Sequence, residues 1–87
     1  VAATKEEIRR WLEEGKSEGA THVIIVFDGH DDVPYFIKPG TDVWETYKTF
    51  DSRRVMEVYD LKQPLDEQLA ERRAWRMPPP KGAIDAT

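Results

Sequence analysis

The 87-residue chain has no cysteine, which excludes disulfides, thiolate metal sites and cysteine nucleophiles and leaves packing as its source of stability. Its five glycines nowhere form the phosphate-cradling loop with a following lysine. No serine is flanked by glycines in the hydrolase-elbow pattern either, so ATP hydrolysis and serine-triad catalysis are poor expectations. No apolar run approaches the ~20 residues that a membrane span needs. The first residues, Val1-Ala2-Ala3-Thr4-Lys5-Glu6-Glu7, lack the basic and apolar regions of a signal peptide, and the expectation is a cytoplasmic protein with no membrane partner. Charge of one sign is also lacking. Thirteen Lys and Arg stand against 17 Asp and Glu, a net −4 that gives no global pull toward nucleic acid or anionic lipid, so such binding would need a local patch.

What the chain does have is one strong core signal, Thr21-His22-Val23-Ile24-Ile25-Val26-Phe27-Asp28. Consecutive apolar residues without polar alternation predict a strand buried on both faces, in the middle of a sheet. Upstream, Thr4 and Glu7 fit a capping box, with Ile8, Trp11 and Leu12 at helical spacing behind it. Gly15 weakens the middle of that helix by about 1 kcal/mol relative to alanine, and Gly19 suits its end. Downstream, Gly29-His30-Asp31-Asp32 reads as a turn and Val33 to Lys38 as a second strand, which Pro34 confines to an edge. After Pro39-Gly40, Asp42 caps a helix with Glu45 three residues on, and Val43, Trp44, Tyr47 and Phe50 form its apolar stripe. Arg54 to Leu61 reads as a third strand. Pro64 opens a third helix that Pro78-Pro79-Pro80 stops.

The predicted fold is therefore α+β, one small domain over residues 4–77 in the order α-β-β-α-β-α, with residues 78–87 a flexible C-terminal tail. A right-handed crossover through helix two sets strand three beside strand one, giving a three-stranded antiparallel sheet of order 2-1-3 packed with helices. Val23, Ile25 and Phe27 face one way and Ile24 and Val26 the other, so both faces need cover. If all three helices lay on one face, the bare second face would predict a homodimer.

Gly19-Ala20-Thr21-His22 leading into the apolar strand, with Asp28, Tyr35, Pro39-Gly40 and Arg54-Val55-Met56-Glu57-Val58-Tyr59-Asp60-Leu61, resembles a group of small uncharacterised proteins from bacteria and their phages. The resemblance runs from about Lys5 to about Trp75 and implies a compact cytosolic domain, phage-borne in origin, with no activity to carry over. The chain departs from the group's pattern in having Phe27 where a cysteine precedes the strand-ending aspartate. Thiol chemistry in the group would not extend to it.

Three constellations could carry chemistry. The acidic turn residues Asp28, His30, Asp31 and Asp32, joined by Asp60 from the end of a neighbouring strand, contain ligands suited to a divalent cation and to metal-dependent phosphoester hydrolysis. The same residues suit a hairpin turn for local reasons, and that reading ranks first. Arg72, Arg73, Trp75 and Arg76, with Arg53 and Arg54, offer guanidinium forks and an indole face to a nucleotide or nucleic acid. Arginines in a last helical turn are nonetheless expected from the helix dipole alone. His22 could move a proton with Glu57 or Asp60 across the ladder, but no nucleophile completes the set. These readings lean away from an enzyme and call for no cofactor. They favour a regulatory or inhibitory interaction module that binds a protein partner or itself, with nucleotide or nucleic-acid binding as the alternative.

Overall fold

Each of the first two helices begins where a side chain satisfies its free amides. At the start of α1 (Lys5–Ser17) the Thr4 hydroxyl accepts from the Glu7 amide, and the Glu7 carboxylate accepts from the Thr4 amide, both at 3.1 Å. The second helix, α2 (Val43–Thr49), starts at Asp42, whose Oδ1 accepts from the amides of Trp44 and Glu45 at 2.8 and 3.4 Å. The Glu45 carboxylate, expected to reach back to the cap, accepts instead from Lys48 at 3.3 Å. Gly19, at φ +80°, ends the α1 segment in the left-handed region that glycine adopts without strain. The third helix, α3 (Leu65–Ala70), follows Pro64, which sits just outside it and accepts its first amide bond from Gln68.

The structure is a computed structural model that describes residues 3–51 and 54–70. Its element order is α-β-β-α-β-α, with strands β1 (His22–Phe27), β2 (Asp32–Ile37) and β3 (Val55–Asp60). The sheet is antiparallel throughout, in the order β2-β1-β3, as expected from the sequence. The apolar strand is central, and Val23, Ile24 and Ile25 have no exposed surface. The sequence expectation for residues 78–87 lies outside the described residues.

Helices cover both faces, so the sheet does not present a bare side. On the first face Val23 and Ile25 pack with Ile8 and Leu12 of α1, Leu69 of α3, Tyr59 and Leu61. On the second, Ile24 and Val26 pack with Ile37, Val55, Val58 and with Val43 and Tyr47 of α2. A β-bulge at Met56 makes this division possible. Ile25 partners Glu57 but Val26 partners Val55, so the extra residue turns Val55 onto the same face as Val58. Gly15, read from sequence as a weak point, is a close approach: a Cβ there would meet side-chain carbons of Val23, Leu61 and Phe36 at 3.1 to 3.2 Å.

Both outer strands have blunted edges. Leu61 donates to the Thr21 carbonyl, so alternation along β1 turns Ile25 toward β3 and leaves its β2 partner, Pro34, facing outward with no N–H to offer. On β3 the outward amide and carbonyl of Asp60 are both bonded at 2.8 Å by the side-chain amide of Gln68 from α3. One glutamine thus takes the place of a fourth strand at that position.

Candidate interaction surface

Six residues of β1 separate two polar ends, and the register decides what each contains. Phe27 partners Asp32 at one end, while His22 partners Asp60 at the other. At about 3.3 Å per residue the ends stand roughly 17 Å apart. Asp60 therefore does not join the acidic turn, which corrects that part of the sequence reading. Within the turn Asp28 Oδ1 accepts from the amides of His30 and Asp31 at 2.8 Å, and these bonds hold its carboxyl below the usual range. Asp32 accepts from the Ala3 amide at 3.1 Å, tying the turn to the start of α1, and His30 pairs with Asp31 at 2.8 Å in solvent. Among the described residues no group of three or more His, Asp or Glu side chains is arranged to hold a metal ion.

At the opposite end His22 is half-buried. Thr21 Oγ1 donates to the Ile37 carbonyl at 3.3 Å, so the 3.0 Å contact with His22 Nδ1 is a bond donated by the ring. Nε2 lies 3.8 Å from Asp60, too far for a hydrogen bond. Burial lowers the imidazole's pKa, and Asp60 and Asp42 oppose this while Lys62 adds to it. Glu57, the other partner considered from sequence, lies inside the core and accepts from the Tyr59 hydroxyl. The Thr21 hydroxyl is committed to a carbonyl, so this cluster orients backbone and lacks an activated nucleophile.

Of the basic set, Arg54 is exposed and its guanidinium lies over the turn, where a Cβ on Gly29 would meet Nη1 at 3.8 Å. Arg53, Arg72, Arg73, Trp75 and Arg76 lie outside the described residues. The chain's net charge of −4 supplies no general attraction to a phosphate backbone.

The surface that sequence reasoning missed is aromatic. Trp44, Tyr47 and Phe50 read as a core stripe, yet only Tyr47 is buried; Trp44 and Phe50 are half-buried at the margin of the second-face core. Phe50 stands edge-on to Tyr35 with ring centroids 5.3 Å apart, and Trp44 stands edge-on to Tyr47 at 5.8 Å. Tyr35 and Val33 are 49% and 36% exposed and lie on one side of β2. The reason is length. A seven-residue helix covers roughly 10 Å, whereas a six-residue strand runs to about 20 Å, so α2 buries Ile37 and leaves Tyr35 and Val33 beyond its reach. The alternation Val33, Tyr35, Ile37 was legible in the sequence; the shortness of the helix above it was the signal that could have marked the surface.

No helix among the described residues is long and apolar enough to cross a membrane. No family model matches the chain, and neither the curated proteins nor the solved structures compared with it contain a significant match.

Proposed function

We propose that this protein is a small interaction module that binds a protein surface, its own first, through the aromatic row of β2 and α2. The observation that carries this reading is the pair Tyr35 and Val33, exposed side by side and continuous through Phe50 with the second-face core. Exposed aromatics backed by a rigid core lose little freedom on binding, which is what makes such residues anchors of interfaces. Pro34 and Gln68 blunt the strand edges, so the reading rests on the sheet's face rather than on strand addition. A regulatory or inhibitory role in the cytoplasm, phage-borne in origin, belongs to this same reading, and it requires no catalytic residue or cofactor.

Light scattering of the purified chain from micromolar to millimolar concentration tests it. The mass should rise with concentration, and Tyr35→Ser combined with Val33→Ser should hold it at the monomer value while leaving the urea midpoint in place. A wild-type mass that stays at the monomer value throughout would remove self-association from the reading.

A further inference from the structure

The two faces of the sheet are closed by different means. On the first, α1 runs 13 residues and brings Ile8, Leu12 and Gly15 into the core, and α3 adds Leu69. Bonds between elements tie this layer down. Arg9 of α1 meets Asp66 of α3 at 2.6 Å, Lys38 after β2 meets Glu18 at the end of α1 at 3.2 Å, and Gln68 holds the Asp60 backbone. The second face is covered by α2, seven residues long, which buries Val43 and Tyr47. The bonds made by Asp42, Thr46, Lys48 and Thr49 all close within residues 42–49, so they travel with the helix and add nothing to its hold on the sheet.

One of the two buried anchors also works against docking. The Tyr47 hydroxyl is enclosed with no hydrogen-bond partner among the described residues. Water would satisfy it, so its enclosure weakens closure by roughly 5- to 150-fold relative to the same ring without the oxygen. Seven residues are also too few to stay helical alone, since isolated helices shorter than about 12 to 15 residues are marginal. The helical form of α2 therefore depends on its being docked.

We propose that α2 is a lid, which undocks and unwinds as a unit while the three strands, α1 and α3 stay folded, and so uncovers Ile24, Ile37 and Val58. The contacts of Val23, Ile25, Tyr59 and Leu61 lie on the other face of the sheet, and the opening leaves them in place. The pivot on the entry side is the turn in which the Thr41 amide donates to the Lys38 carbonyl and Gly40 stands at φ +90°. The Tyr47 hydroxyl sets the balance, because it is stranded in the closed form and hydrated in the open one.

Native-state hydrogen exchange of the full chain, read by NMR across a urea series below the unfolding transition, tests the lid in wild type and in Tyr47→Phe. In wild type the amides of Thr46 to Thr49 should be protected roughly tenfold or more weakly than those of Val23 to Val26. Their urea dependence should be shallower than that of the β1 amides yet clearly above zero, because opening exposes a part of the surface that global unfolding exposes. Tyr47→Phe should slow the α2 amides by roughly fivefold, and the β1 amides by the same factor, since Tyr47 reaches water in both openings. Protection and urea dependence equal to those of β1 would mean that α2 opens only with the whole domain, which overturns the lid. Fast exchange without urea dependence, unmoved by Tyr47→Phe, would mean fraying above a seated Tyr47, and that outcome overturns it as well.

Discussion

Tyr47 and Tyr59 are both buried, at 8% and 1% exposure, yet replacing each by phenylalanine should move stability in opposite directions. The Tyr47 hydroxyl is enclosed in the second-face core with no hydrogen-bond partner among the described residues. A hydroxyl taken from water without a compensating bond costs about 1 to 3 kcal/mol. Tyr47→Phe removes that cost and keeps the ring against Trp44, at the expense of one oxygen's worth of void. The net expectation is a gain of about 1 kcal/mol, or a midpoint raised by roughly 4 to 8 °C in a domain of this size. The Tyr59 hydroxyl instead donates to the buried Glu57 carboxylate on the first face. Tyr59→Phe deprives that side chain of a donor, and a net hydrogen bond contributes about 0.5 to 1.5 kcal/mol, so this variant should lose about that amount. Urea unfolding followed by tryptophan fluorescence, with the thermal midpoint as a second measure, reads both. A loss of 1 kcal/mol or more in Tyr47→Phe, or no loss in Tyr59→Phe, would refute the assignment of which hydroxyl is satisfied.

Gly15→Ala should cost up to about 2 kcal/mol, because overpacking against Val23, Leu61 and Phe36 outweighs the helix-propensity gain of about 1 kcal/mol. Gly19→Ala has open space but a left-handed backbone, and calorimetry should place its loss at about 1 to 2 kcal/mol. The folded-state pKa of His22 is lowered, so its neutral form favours folding. That contribution is complete above the ordinary value of about 6.5 and is lost as pH falls through the lower folded value, and urea midpoints of wild type should drop in that window relative to His22→Gln. Gln68→Leu removes both bonds to the Asp60 backbone. It should cost about 1 to 3 kcal/mol and expose an edge, measurable as a lower midpoint with faster exchange of the Asp60 amide.

Local chemistry made much of the fold legible. Thr4 and Asp42 cap through their own side chains, and Gly19 needs only its missing Cβ; such preferences are complete within a few residues. The run Val23 to Val26 identified the central strand because unbroken apolar sequence is costly anywhere else, and a central β1 needs a neighbour on each side, which places β2 and β3 at the two edges. The candidate sites were less legible, since side chains meet across elements. His22 had two carboxylates within plausible reach by sequence, and only the ladder paired it with Asp60 while sending Glu57 into the core. Asp60 likewise belonged to the acidic turn by composition and to the other end of the sheet by register.

By itself the sequence determined the element order, the caps, the buried central strand and the exclusion of disulfide, phosphate-loop and serine-triad chemistry, because each depends on residue types and spacings within one segment. Only the tertiary structure decided the bulge at Met56, the approach at Gly15, the burial of Glu57 and the exposure of Tyr35 beside Phe50. Those are properties of two or more elements at once. Register sets which residues face each other, and the length of one helix against one strand sets which aromatic side chains stay in solvent.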